Sequence, residues 1–230
     1  MPFSKKKFQG LSTQQQHKKC SELLRKLYLA EYNQMQCWMD GEPLHNPTAE
    51  QLSNRYHEHL DLAKVCLKEH RLLPRIDQGD RCAPVAEKLP VDIYLDQIRS
   101  AHNVGSILRT VEAFSLGSVI FSPKTPYVDS PQVQKTSMGA HRYVECRQGT
   151  LVTRPLIALE TSPDATPIEA FAFPDHFTLA IGNEEYGCSE EILSSADHLV
   201  AIPLWGRKNS LNVANAFAIA AAEISRQKRS

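Results

Sequence analysis

Three polar segments carry the residues of this chain best suited to chemistry. Asn103-Val-Gly-Ser-Ile-Leu-Arg109 holds an amide and a guanidinium, and Gly182-Asn-Glu-Glu-Tyr-Gly187 holds the carboxylate of Glu184. Ile202-Pro-Leu-Trp-Gly-Arg-Lys-Asn-Ser-Leu-Asn-Val213 places the Ser210 hydroxyl two residues from the Asn212 amide. Each segment contains glycine and lies where an apolar, strand-like run gives way to a helix-like one, the place where α/β proteins build ligand sites. Arg109 follows Asn103 by one and a half helical turns and can fork onto phosphate oxygens. Glu184 can accept from Asn103 or Arg109 and fix their rotamers. Together the segments indicate an enzyme.

Other chemistries find less support. The chain has neither Gly-x-Gly-x-x-Gly nor Gly-x-x-x-x-Gly-Lys-Ser/Thr, so the Rossmann fingerprint and the P-loop both lack their glycines. His57, His59 and His70 have no cysteine or carboxylate partners at ligand spacing, so they read as surface or packing histidines and no metal is expected. The six cysteines (20, 37, 66, 82, 146 and 188) form no Cys-x-x-Cys pair and read as reduced, structural residues.

The residues that position the three segments change style along the chain. The stretch from Thr13 to Met39 clusters Leu23, Leu24, Leu27 and Tyr28 at helical spacing, and Gly41 and Pro43 stop it. Thr48-Ala-Glu-Gln51 is a capping box, after which Leu52, Tyr56, Leu60, Ala63 and Leu67 recur on one face until Pro74. Residues from Pro74 to Pro90 have linker composition. From Val91 strands and helices alternate. Val91 to Leu95 is a strand; a helix capped by Asn103 and stopped by Gly117 follows, then a strand from Ser118 to Phe121, a βαβ unit that implies a parallel sheet. Ser130-Pro131 opens a short helix to about Met138. Further strands are expected at Arg142 to Cys146, Leu156 to Leu159, Phe177 to Ile181 and His198 to Leu204. A short helix follows Ser189, and the last one begins near Asn212.

In order and spacing the three segments resemble the motifs of the SpoU-type (TrmH-like) RNA ribose methyltransferases of the SPOUT superfamily, over roughly residues 90 to 228. The resemblance implies an α/β SPOUT fold, a mostly parallel sheet with a C-terminal trefoil knot, spanning residues 88–230. Residues 1–87 form a helical N-terminal extension and linker. It implies a methyltransferase that uses S-adenosyl-L-methionine to methylate a ribose 2′-hydroxyl in tRNA or rRNA and works as a homodimer. Arg109, Asn103, Glu184, Ser210 and Asn212 are the catalytic residues so implied; Gly182, Ile202, Leu211, Leu204 and Ala140 are the cofactor contacts. Core packing is the alternative reading of Ile202 and Leu211, and helix capping explains Asn212 about as well as catalysis does. Leu204-Trp205 stands where a methionine and a small residue are common in the family, and Ala214 where serine is.

Two rival readings keep the fold: a non-catalytic RNA-binding or assembly protein, and a SPOUT methyltransferase acting on a base. Net charge is zero, which weighs against RNA binding, but Lys5 to Lys7, Lys18-Lys19, Arg71 with Arg75, and Arg226 to Arg229 are locally basic. A solvated tail or helix face is the plainer reading of each cluster, ahead of phosphate contacts. No run is long and apolar enough for a bilayer and no secretory signal is visible, so the expected location is the cytoplasm, with no membrane partner.

Overall fold

The computed structural model describes residues 4–65, 86–150 and 154–229, which fall into two compact units divided between residues 83 and 84. The first unit contains α1 (Lys5–Gln9), α2 (Thr13–Arg25), α3 (Leu29–Trp38) and α4 (Ala49–Leu62). Ser12 with Gln15 and Thr48 with Gln51 close reciprocal capping boxes at the starts of α2 and α4.

The single helix expected from Thr13 to Met39 is two. Leu27 takes a left-handed φ of 58°, the Tyr28 N–H turns back to the Leu23 carbonyl, and the Leu27 N–H reaches that of Leu24. This is a Schellman stop built without the glycine that usually marks it. Lys64, at φ 53°, ends α4 in the same way, well before Pro74. Leu67, His70 and most of the Pro74 to Pro90 stretch lie outside the described residues.

Leu52, Tyr56 and Leu60 are buried against Phe8, Cys20, Leu24, Tyr32 and Met35, so this unit has its own core. His59 lies inside it, 3% exposed, with Nδ1 2.8 Å from His17 Nδ1 and Nε2 3.1 Å from the Tyr32 hydroxyl. It is a packing histidine, and among the described residues no group of three metal-ligating side chains occurs.

The second unit contains β1 (Val91–Leu95), α5 (Ala101–Ala113), β2 (Val119–Phe121), α6 (Pro131–Thr136), β3 (Cys146–Gln148), β4 (Leu156–Leu159), β5 (Thr166–Pro167), β6 (Phe177–Ile181), α7 (Glu190–Ser195), β7 (His198–Ala201) and α8 (Val213–Arg229). The sheet order is β3-β2-β1-β6-β4-β7-β5, and every pairing is parallel. Period-two alternation gives the sheet two apolar faces. Val91, Ile93, Leu95, Phe177, Leu179 and Ile181 pack with residues of α5 and α8, while Tyr94, Leu156, Ala158 and Ala180 pack with Ile192 of α7.

Local signals misplaced several boundaries. The strand expected at Arg142 to Cys146 is a 3-10 turn over Ala140–Arg142, entered through Gly139 at φ 96°, and pairing begins at Cys146. The strand expected to run to Leu204 ends at Ala201, ahead of Pro203, which has no N–H to donate. Ser115, not Gly117, is the left-handed stop of α5, at φ 49°. A Cβ on Gly117 would lie 2.8 Å from the Val91 carbonyl, so that glycine serves close packing on β1. Among the described residues no helix is long and apolar enough to cross a membrane.

Candidate active site

From β1 the chain builds outward through β2 and β3, then crosses to the other side for β4 to β7, so β1 and β6 flank the point where strand order reverses. Open parallel sheets bind ligands outside the carboxyl ends of the strands at such a point. On the β6 side of it, the loops leaving β4, β6 and β7 enclose a groove of about 500 Å³. Gly182 to Gly187, Leu159 to Thr161, Ile202, Leu204, Asn209 to Val213 and Ala216 line it.

A hydrogen-bond relay ties the three polar segments together beside this groove. Glu184 Oε1 accepts from Asn103 Nδ2 at 2.8 Å and from the Ser100 N–H at 3.0 Å, while Oε2 accepts from the Arg99 N–H at 2.9 Å. Asn103 Oδ1 accepts from Asn212 Nδ2 at 3.1 Å, and Asn212 Oδ1 accepts from the N–H groups of Ala214 and Asn215. Burial raises the Glu184 pKa, but the Arg99 N–H, the Asn103 amide and the Ser100 N–H outweigh it and hold the carboxyl below its usual range. Glu184 is therefore an anion that aims Asn103, and Asn212 is both a helix cap and a member of the relay.

Asn103 is not the cap of α5. Ser100 takes that position, its Oγ accepting from the Asn103 N–H at 3.3 Å, which frees the Asn103 side chain for Glu184. Gly105, in the same segment, is a packing glycine, since a Cβ there would lie 2.1 Å from Thr136 Oγ1 of α6. Gly182 lines the groove, yet its missing Cβ faces the chain itself: a Cβ would lie 2.1 Å from both the Gly187 carbonyl carbon and the Cys188 nitrogen. Its first task is to let the 182–188 loop fold back on itself.

Ile202, Leu204, Leu211 and Ser210 all line the groove, with Leu211 43% exposed. Arg109 and Ala140 do not. Arg109 is exposed on α5, without a hydrogen-bond or ion-pair partner among the described residues, and Ala140 is buried at the start of its 3-10 turn. Cys188 is 4% exposed, and burial, followed by the charges of Glu160 and Asp96, pushes its thiol far up, as expected of a cysteine with no nucleophilic role.

Residues outside those expected from the motifs complete the frame. The Glu160 carboxylate accepts from the N–H groups of Cys188 at 2.7 Å and Thr161 at 2.9 Å, pinning the β6 loop to the end of β4. Asp96, 3% exposed, accepts from the Ser189 N–H at 2.7 Å and so holds the start of α7. Asn183 donates to the Gln97 carbonyl and accepts from the Glu185 N–H. Asp96, Glu160 and Asn183 are among the first polar residues after β1, β4 and β6, and that position past a buried strand is the signal that would have found them.

Fold and groove define a parallel α/β protein with a cofactor-sized site at its topological switch point. The chain belongs to the SpoU rRNA Methylase family, whose profile matches residues 90–222. It is 33% identical over 144 residues to an uncharacterized tRNA/rRNA methyltransferase of Borreliella burgdorferi, covering 59% of this chain and 63% of that one. Against an uncharacterized tRNA/rRNA methyltransferase of Mycobacterium leprae the identity is 30% over 147 residues, covering 60% of this chain and 47% of the relative. The chain thus spans about half to just under two thirds of the length of these relatives. Among solved structures, the SpoU methyltransferase AviRb of Streptomyces viridochromogenes in complex with AdoMet superposes with a TM-score of 0.56 at 26% identity, covering 74% of this chain and 72% of that one.

Proposed function

We propose that this protein uses S-adenosylmethionine to methylate a ribose 2′-hydroxyl in tRNA or rRNA, acting as a cytoplasmic homodimer whose C-terminal loops form a trefoil knot. The observation that carries the reading is the Glu184–Asn103–Asn212 relay at the edge of a groove walled by Ile202, Leu204 and Leu211. The groove suits the donor: its volume is that of a cofactor site, apolar side chains can meet an adenine, and loop backbone can meet polar edges. The crystallised AviRb relative, which carries AdoMet, supports the same donor. Bound there, the donor supplies an electrophilic methyl group on sulfur.

The protein's contribution is placement and electrostatics. Holding a hydroxyl in line with its target can lower a barrier by about 7 kcal/mol or more. The Ser210 hydroxyl and the Asn103 and Asn212 amides offer polar contacts for a ribose. Arg109 carries a guanidinium, which is a poor base, and its role is to grip phosphate and favour the alkoxide electrostatically. Its absence from the groove of its own chain favours action across a homodimer interface.

The test is methyl transfer to tRNA and rRNA taken from a strain lacking the gene, with products mapped by nucleoside mass spectrometry and resistance to alkaline cleavage. A methylated base on unmodified ribose would replace this reading with base methylation. Tight cofactor binding without transfer to any RNA would favour an assembly protein.

A further inference from the structure

The loop from Ile202 to Asn212 has ends that line the groove and a tip, Trp205-Gly-Arg-Lys208, that does not. Trp205 at this tip is 95% exposed, whereas the chain's other tryptophan, Trp38, packs against Phe8 with ring centroids 5.7 Å apart. A tryptophan left almost wholly in water forgoes the large apolar burial its ring offers, and tryptophan is enriched at contact surfaces. Arg207 and Lys208 beside it are exposed, and neither has a hydrogen-bond or ion-pair partner among the described residues. Gly206, next to the tryptophan, also has open space where a Cβ would lie.

We propose that Trp205 is the stacking platform for an unpaired base next to the target nucleotide, with Arg207 and Lys208 holding the adjoining phosphates, so that the substrate is single-stranded RNA in a loop, bulge or tail. The proposal rests on the RNA methyltransferase reading and narrows its substrate class. An indole face accepts any base by stacking, but only one whose own faces are free, and an A-form duplex keeps its base faces covered. The charges point to a polyanion over a second copy of the chain. A two-fold contact through this tip would set Arg207 and Lys208 against their own counterparts and bury unpaired cations. Leu204, the residue before Trp205, lines the groove, so a base on the indole would lie one residue along the loop from the site of transfer.

The experiment uses the full chain and a mixed-sequence RNA dodecamer carrying one 2-aminopurine, presented as a single strand and as a duplex. Binding is followed by anisotropy and stacking by 2-aminopurine quenching. W205A is expected to weaken single-strand binding about tenfold and remove the quenching, while W205F retains most of both and duplex binding is unchanged throughout. Cofactor affinity and sedimentation should match the parent protein. Equal single-strand binding by W205A and the parent, or a parent protein that prefers the duplex, overturns the proposal. A changed oligomeric state in W205A also overturns it and assigns Trp205 to an interface between copies. Loss of cofactor binding by the parent protein itself would instead sink the methyltransferase reading, a result the anisotropy arms do not depend on.

Discussion

Asn212 Nδ2 donates to Asn103 Oδ1 across 3.1 Å, joining the start of the last helix to the first turn of α5 over 109 residues of sequence. The bond's direction is forced. Glu184, ionised, can only accept, so Asn103 must turn its NH₂ toward it and present its oxygen to Asn212. Asn212 must then donate with its NH₂, which leaves its oxygen for the helix N–H groups of Ala214 and Asn215. One carboxylate therefore sets the polarity of the whole relay.

Asn212→Asp separates capping from the relay. Aspartate caps a helix as well as asparagine and sits favourably at a helix N-terminus, but it has no N–H to give Asn103. Thermal stability should stay within a few degrees of the parent while methyl transfer falls by about tenfold or more. Asn212→Ala should lose the cap as well, at a cost of about 1 kcal/mol. Full activity in Asn212→Asp would reduce Asn212 to a cap.

Gly182→Ala tests what the glycine is for. Its Cβ would collide with the backbone of Gly187 and Cys188, so the loop must open to admit it. The expected outcome is a stability loss of about 2 kcal/mol or more, within the range for overpacking a tight site, with weakened cofactor binding as a consequence. Calorimetry in the absence of any cofactor reads the first effect alone. An unchanged melting temperature together with abolished cofactor affinity would restore the simpler view that the glycine only makes room for a ligand.

The core strands and the three polar segments were legible because they depend on local pattern: apolar runs such as Phe177 to Ile181, a glycine just past the strand, and N-caps such as Ser189 and Thr48. Helix ends were not, because α2, α4 and α5 stop at Leu27, Lys64 and Ser115 in left-handed conformations that carry no glycine signature. The pairing of Glu184 with Asn103 was one of two options open to the sequence, and only the sheet's switch point brings the two within reach. Asp96 and Glu160 stand directly after buried strands, a position that marks them, but their partners were not legible: each accepts from a backbone N–H, and those of Ser189 and Cys188 lie 93 and 28 residues further along the chain, where no side-chain type announces them.

The first unit should lose stability in mild acid. Burial, with the charges of His17 and Arg55 adding to it, pushes the His59 pKa down to about 4 from 6.5, and burial lowers that of His17 as well. The unfolded chain thus takes up protons below about pH 6.5 that the folded unit refuses, so the stabilising contribution is intact above that pH and declines progressively as pH falls toward 4. A second proton would also leave the 2.8 Å approach of the two Nδ1 atoms with no acceptor. A single proton changes stability by about 1.4 kcal/mol per pH unit in this window. Replacing both histidines with glutamine should lower stability at pH 7 and flatten its pH dependence, as circular dichroism melts between pH 7.5 and 4.5 would report.

Arg109→Ala should reduce turnover by at least about 100-fold with cofactor affinity nearly unchanged, as expected for a group that acts on the acceptor hydroxyl and not on the donor. Its exposure and lack of partners among the described residues mean the fold should not register the substitution. A fully active variant would remove Arg109 from the site. In a homodimer that shares residues across its interface, mixing inactive Arg109→Ala with an inactive groove variant should restore part of the activity.

Removal of residues 1–85 asks what the helical unit does. Its apolar stripe, Leu52, Tyr56 and Leu60, is buried in the unit's own core with Phe8, Leu24 and Tyr32. The groove and relay are built wholly from residues 96 to 216. The shortened protein should therefore fold, melt near the parent temperature and bind the cofactor. If exposed lysines such as Lys5, Lys6 and Lys18 touch phosphates, RNA affinity should fall and its dependence on log salt should flatten by about 0.7 to 0.9 for each phosphate no longer neutralised. Affinity and salt slope that stay fixed while the melting temperature drops sharply would make the unit a structural support. The paired measurement decides because phosphate neutralisation acts on the salt slope and apolar packing acts on the melt.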